Sequence, residues 1–436
     1  MSKKTHRTVP GVHPYDGPAG GWGALKATAI AVKNQMDTLK APSTLMRTNQ
    51  PDGFDCPGCA WPDKDHQSTF QFCENGAKAV TWEATTKRVT PAFLADNTVT
   101  SLLARTDFEL EGYGRLTTPL RYNRDSDTFN ALSWDEAFTI IAEKLAALQP
   151  DEVEFYTSGR ASNEAAYLFQ LFAREYGTNN FPDCSNMCHE ATSVGLPQSI
   201  GIGKGTVSLD DFDSAELILS FGHNPGTNHP RMMGTLHELA RRGVPIIVFN
   251  PMRERALERF ADPQNVMEMA TNSSTDIAST YYLVRAGGDS AALKGIAKAV
   301  LAIEAATGTA LDHAFIREHT DGFAQFAADI DATSWDSVEL ESGLTQAQLS
   351  QVAQAYVKSN ATILTYGMGI TQHNRGTDNV RLLVNLLLLR GNMGKPGAGV
   401  CPLRGHSNVQ GNRTVGITEK PSADFLSKLE KVFGFT

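Results

Sequence analysis

The chain of 436 residues carries 39 Lys and Arg against 48 Asp and Glu, a formal net charge of −9. No global attraction to nucleic acid or to an anionic membrane surface follows from that balance, and any anionic ligand must be held by local positive groups. The length implies about two to four domains, and six cysteines without a signal-peptide run or twin arginine point to metal or redox chemistry in the cytoplasm rather than to a disulfide framework.

Residues 1–50 are rich in Gly, Pro, Lys and Thr, with one helix expected over GALKATAIAVKNQMDTL, and they read as an arm wrapping a larger body. Cys56 and Cys59 follow on a Pro/Gly turn, with Cys73 beyond them. Two thiolates so spaced reach one metal centre from a single tight loop, and the third closes it from the far side. A zinc knuckle completed by Asp63 or His66 is the alternative, and a thioredoxin-like pair is disfavoured because no βαβ context surrounds the motif. Lys78 stands near enough to face whatever the cysteines hold, although a solvated lysine is the commoner fate.

Ser133 to Gln149 is expected as a helix, capped by Ser133 with Glu136 completing the box. EVEFYTS (152–158) is expected as a strand, Gly159 as a turn, and SNEAAYLFQLFAREYG as a helix ending at Gly177. In FPDCSNMCHEATSVGL (181–196), Asn180, Asp183 and Ser185 can cap a helix whose first turns carry Cys184, Cys188 and His189. The helix start favours a thiolate, which makes Cys188 a candidate ligand or nucleophile and His189 a candidate proton acceptor. Simple burial of both cysteines is the competing account.

AELILSF (215–221) is a continuous apolar run suited to a buried parallel strand, GHNPGTNHP a glycine-rich turn, RMMGTLHELARRG a helix and PIIVFNP (245–251) a second strand. Ligands of open α/β sheets bind at the carboxyl ends of strands, so Gly222, Asn224, Gly226, Asn228, Asn250 and Arg253 are candidates to face one. The loop does not match the G-x-G-x-x-G fingerprint of nicotinamide cofactors, and its residues also suit plain tight turns. STDIASTYYLVRAGG (274–288), SAALKGIAKAVLAIEAATG and TQAQLSQVAQAYVKS (345–359) are expected as helices. TILTYGMG (362–369) is expected as a strand entering a glycine turn, and Thr377 to Arg390 as an apolar helix, its run too short to span a bilayer. The closing GNMGKPGAGVCPLRGHSNVQGNR lacks periodicity. It is a surface linker or a loop wrapped on a ligand, and the abrupt change from the apolar helix before it favours the ligand.

The cysteine cluster, the Cys188-His189 pair, GHNPGTNHP, FNPMRER, STDIA, YGMGITQH and GNMGKPGAGVCPLRGHSNVQG occur in the order seen in molybdopterin oxidoreductases. The sequence resembles the formate-dehydrogenase-like branch of that family most, over nearly the whole chain from about residue 50. The resemblance implies two doubly wound α/β domains with a small N-terminal cysteine-cluster domain. On this division residues 1–50 are the arm, 51–130 the cysteine domain, 131–180 plus 361–400 the first α/β domain, 181–360 the second, and 401–436 a closing cofactor loop and tail.

The resemblance further implies a Mo-bis(molybdopterin guanine dinucleotide) centre, with Cys188 as the Mo ligand and His189 as the neighbouring base, and a 4Fe-4S cluster at Cys56, Cys59 and Cys73 relayed by Lys78. Asn224, His229, Pro230, Asn250 and Arg253 match the family's dinucleotide-contacting turns, and Thr275 and Asp276 match another. Gly367, Gly369 and Gln372 match the turn that approaches the pterin, and Arg404, Asn408 and Gln410 the closing motif. The expected activity is oxidation of formate or a related small substrate, with electrons leaving to an acceptor protein. A non-catalytic zinc- or metal-binding scaffold or partner subunit is the alternative.

Three departures mark the sequence. Asp63 fills the slot where the family has a third clustered cysteine, so the fourth cluster ligand is open, with Asp63 and His66 as candidates. Lys78 stands further from Cys73 than the family's relay lysine does. The chain also stops where the family continues into a barrel-like domain, so a fragment is expected whose missing domain or partner would cover one cofactor.

Overall fold

The structure, a computed structural model, describes residues 15–63 and 69–434. Its centre is a five-stranded, all-parallel sheet built from β1 (Leu217–Phe221), β2 (Ile246–Asn250), β3 (Thr280–Leu283), β4 (Thr362–Tyr366) and β5 (Gly399–Pro402) in the order β3-β2-β1-β4-β5. In register, Leu219 of β1 lies between Ile247 of β2 and Leu364 of β4.

Every residue of β1, β2 and β4 is buried, as strands covered on both faces must be. Alternation along each strand sorts the side chains into two cores. Leu217, Leu219, Phe221, Ile247, Phe249, Leu364 and Tyr366 pack toward the helices Asp289–Thr307, Gln346–Lys358 and Gly376–Leu388. Ile218, Ile246, Val248 and Ile363 pack on the other face, against Met232, Met233, Leu236 and Leu239 of the helix Met232–Arg241. Each such aliphatic or aromatic side chain contributes roughly 1.5–3 kcal/mol by leaving water. The expected α/β class, with helices wound onto both faces, is therefore present.

The strand order reverses between β1 and β4, and there the turn after β1 meets the turn after β4 backbone to backbone. A Cβ on Gly222 (φ 55°) would lie 2.8 Å from the Gly369 carbonyl carbon, and one on Gly367 would lie 2.9 Å from the Gly222 carbonyl oxygen. Glycine at these positions serves contact between the two turns.

Several expected helices stand as read. Gly21–Gln35 is a helix, Trp134–Ala146 starts on the Ser133–Glu136 capping box, and Asn163–Tyr176 ends at Gly177 in the left-handed region.

Three expectations are corrected. Residues 274–288, read as a helix, hold the short strand Thr275–Asp276 and then β3, because Thr280, Tyr281 and Tyr282 suit a pleated edge. Residues 152–158 form no strand: the Phe155 amide donates to the Asn180 carbonyl at 2.9 Å and Thr157 makes a single bridge to Asp183. Phe155 instead gathers Phe169, Phe172, Tyr176 and Phe181 into a separate aromatic cluster. Third, β4 and β5 belong to the same sheet as β1 to β3, not to a domain joining 361–400 with 131–180. Both long edges of β4 are hydrogen-bonded, to β1 and to β5. Among the described residues, no helix is long and apolar enough to cross a membrane.

Candidate metal and cofactor site

A cavity of about 640 Å³ lies where the N-terminal cysteines meet the turns beyond the sheet; Cys56, Cys59, Cys73, Lys78, Pro230 and His406 are on its wall. Cys73 is the N-cap of the helix Glu74–Glu83, its sulfur accepting from the Gly76 amide at 3.3 Å, while the Cys56 sulfur accepts from the Gly58 amide at 3.2 Å. A Cβ on Gly76 would come within 3.0 Å of the Cys56 sulfur and 3.6 Å of the Cys73 sulfur, so glycine keeps the space beside both open.

Burial raises the pKa of all three thiols, pushing Cys73 up to about 11. They are thiols until a cation takes the place of the protons. One tetrahedral zinc, with bonds of about 2.3 Å, would hold such sulfurs at edges of roughly 3.8 Å, and an iron–sulfur cluster would hold them further apart.

Of the candidate fourth ligands, Asp63 is ion-paired to Arg231, which also donates to the Trp61 and Pro62 carbonyls at 3.3 and 2.9 Å. His66 lies outside the described residues. Lys78 pairs with Glu74 one turn back at 2.5 Å while remaining on the cavity wall.

The second constellation starts at Asp183, whose carboxylate accepts from the Ser185 and Asn186 amides and caps the helix Cys184–Ile200. Cys184 and Cys188 stand one turn apart with their sulfurs 3.6 Å from each other, and the Cys184 sulfur is 3.1 Å from Nδ1 of His406. Val409 buries both, with Met368 packed beside them. The helix start was expected to favour a thiolate at Cys188, but desolvation outweighs it: burial and the adjacent Cys184 push the Cys188 thiol up to about 12, against the opposing charge of Arg404.

His189 does not face the cavity as a free base. The backbone leaves helical geometry there (φ −139°, ψ 28°), and the ring is fully buried. Nε2 lies 2.9 Å from the Leu403 carbonyl, Nδ1 is 3.0 Å from the Thr192 hydroxyl, and that oxygen is 2.9 Å from the Tyr366 hydroxyl. A carbonyl only accepts, so Nε2 carries the proton and Nδ1 accepts from Thr192, which in turn accepts from Tyr366. The neutral ring is fully satisfied, and burial holds its pKa down to about 3.

A parallel tether comes from the turn after β1. Nε2 of His229 donates to the Arg404 carbonyl at 2.5 Å, so its Nδ1 accepts from Nε2 of His223 at 2.8 Å. Asn250, at the end of β2, clamps the His223 backbone: its Oδ1 accepts from the His223 amide at 3.0 Å and its Nδ2 donates to the His223 carbonyl at 2.9 Å. Nδ1 of His223 is left buried without a partner, as is Oδ2 of Asp183. Arg404 is buried beside this tether, its guanidinium donating to the Gly203 carbonyl at 3.3 Å.

The remaining expected residues are spread more widely. Asn224 caps a short turn and donates to Glu254 at 2.7 Å; Arg253 reaches Glu258 and overlies Tyr281. Thr275 binds Glu268 at 2.7 Å and Asp276 is exposed near Arg259, neither on the cavity wall. Gln372 donates to the Met187 carbonyl at 3.2 Å, Asn408 to Ala161 at 2.7 Å, and Gln410 accepts from Lys204 at 3.1 Å. Sequence reasoning had not singled out His406, His223, Thr192, Tyr366 or Arg231; His406, Tyr366 and Arg231 have partners remote in the chain. The available signal was that His406, His223 and Tyr366 each fall inside a motif quoted above.

Comparison with known proteins gives four likenesses. A family model described as molybdopterin oxidoreductase matches residues 115–423. The protein YdeP of Escherichia coli is 57% identical over 98% of this chain, which spans 57% of YdeP. Formate dehydrogenase H of Escherichia coli is 33% identical over 68% of this chain, spanning 39% of that protein. Among solved structures, acetylene hydratase from Pelobacter acetylenicus matches with a TM-score of 0.52 at 18% identity, covering 63% of this chain and 34% of that one, a likeness of fold alone.

Proposed function

The chain belongs to the molybdopterin oxidoreductase family, and from that premise we propose a formate-dehydrogenase-like oxidoreductase holding a Mo-bis(molybdopterin guanine dinucleotide) centre beside a 4Fe-4S cluster. The observation that supports it best is one cavity joining the three N-terminal cysteines to the turns beyond β1 and β4 and to the closing segment. The residues fit such a group. Cys188 offers a soft sulfur, Arg404 a buried positive charge, and His223 an unpartnered ring nitrogen at the topological switch point.

When bound, the molybdenum–pterin group supplies a centre that accepts two electrons from a small substrate. Around it, Cys188 would give up its thiol proton to become a ligand. Arg404 favours that charge. Val409 and Met368 would exclude water from the sulfur. Cys56, Cys59 and Cys73 would hold the cluster, with Lys78 on the wall of the same cavity.

We assign His189 a positioning role, fixing the Cys188 turn to Leu403, because both its nitrogens are committed. Six unpaired cysteines accord with a reducing, cytoplasmic setting, and the electron acceptor would be a second protein. The test is metal and nucleotide analysis of protein purified without oxygen, with formate oxidation followed by a viologen dye. Molybdenum with guanine nucleotide, iron and dye reduction is expected. Stoichiometric zinc that is lost in Cys59→Ser, with neither molybdenum nor iron, would replace this proposal with the metal-binding scaffold.

A further inference from the structure

Assigning Cys188 to molybdenum leaves two neighbouring donors, Cys184 and His406, unused. We propose that Cys184, Cys188 and His406 together form a site for a single borderline divalent cation of the zinc class, available in the cofactor-free protein. The ligand atoms of these three residues all lie within 4.8 Å of one another. The sulfurs are 3.6 Å apart, against roughly 3.8 Å for the edge of a zinc tetrahedron with bonds near 2.3 Å. The Cys184 sulfur and Nδ1 of His406 are 3.1 Å apart, so a shift of a few tenths of an ångström outward would admit the ion.

The arrangement is built from distant parts of the chain. Cys184 and His406 are separated by 222 positions and meet because Gly159 lets the closing segment approach. A Cβ on Gly159 would lie 2.8 Å from the His406 Cβ, 2.7 Å from Val409 and 3.3 Å from the Cys184 sulfur. Val409 walls the sulfurs from solvent, while His406 also lines the cavity, leaving an approach for the ion and for a fourth ligand such as water.

Two sulfurs and an imidazole nitrogen are a zinc-class donor set. Binding replaces the two thiol protons by two metal–sulfur bonds with no electron transferred, and releases two protons to solvent. An ion so bound takes the Cys188 sulfur, so the cofactor-free protein carries a cap that must leave before molybdenum is ligated.

The test uses the full chain, purified cofactor-free and without oxygen, titrated with cobalt(II) as the spectroscopic probe. The expected result is a tetrahedral cobalt spectrum with thiolate-to-cobalt charge transfer that zinc abolishes. Cys184→Ser should cut the charge-transfer intensity and weaken binding by about tenfold or more, and His406→Gln should weaken it comparably while keeping both thiolate bands. Circular dichroism on both variants checks that the fold is retained. Cobalt binding unchanged in both variants, or lost only in Cys59→Ser, would overturn the site. Molybdenum retention by Cys188 is measured separately, so the proposed function and this site fail independently.

Discussion

Replacing His189 by Gln should flatten the acid sensitivity of the fold. In the folded chain the imidazole is neutral with a pKa near 3; in the unfolded chain it returns to about 6.5. Between those values the unfolded chain binds the proton and the folded chain does not, so unfolding becomes easier as pH falls through the window, and the full contribution is present above about 6.5. The cost is about 2 kcal/mol on going from pH 7 to pH 5, and roughly 4 kcal/mol by pH 3. Glutamine retains an amide N–H for the Leu403 carbonyl but does not titrate. His223 and His229, also held neutral by burial, are common to both proteins and cancel in the comparison. Urea unfolding at pH 7 and pH 5, followed by tryptophan fluorescence, should show the variant losing about 2 kcal/mol less than the parent. Equal losses in both would mean that His189 accepts a proton in the folded state, which would restore it as a candidate base.

Cys188→Ala should abolish molybdenum retention and formate oxidation while leaving iron per chain unchanged, checked by elemental analysis; retained molybdenum would remove its assignment. Asp63→Cys gives up the Arg231 ion pair but offers a fourth sulfur, so iron content after air exposure should rise, and constant iron with one bound zinc would favour a knuckle instead. Gly222→Ala forces a side chain into both the left-handed region and the Gly369 backbone. A destabilisation of about 1–3 kcal/mol or a repacked turn is expected, and an unchanged urea midpoint would show that the two turns move apart freely.

What the sequence made legible were elements that carry their own signal. β1, β2 and β4 are short, mostly aliphatic or aromatic runs, and the helix at Trp134–Ala146 announces itself through Ser133 and Glu136. β3 and β5 are four-residue edge strands, one hidden in a polar-aromatic stretch and the other between glycines and Pro402. Their identity is decided by neighbours far along the chain. The same holds at the site. The order of motifs pointed to the cysteines, the strand-end turns and the closing segment; the three N-terminal cysteines, the turns after β1 and β4 and the closing segment border one cavity, whereas Cys188 is not on its wall. The partners that define each side chain's state were not visible, because Thr192 meets Tyr366 across 174 positions and His189 meets Leu403 across 214. Burial likewise reverses the expectation for Cys188, whose helix position alone had suggested an easily ionised sulfur.

The two histidine tethers grip the closing segment by its main chain, at the carbonyls of Leu403 and Arg404. Every amino acid brings that acceptor, so side-chain replacement at either position cannot delete the anchor; only a change in the donors His189 and His229, or a shift in register, can. The side chains of 403 and 404 are thereby released from holding the loop. Leu403 is free to fill the core beneath the sheet and Arg404 to present its charge beside Cys188. Replacement at 403 or 404 should therefore cost core packing or the charge beside Cys188 while leaving the anchor in place, whereas replacement of His189 or His229 removes the anchor itself.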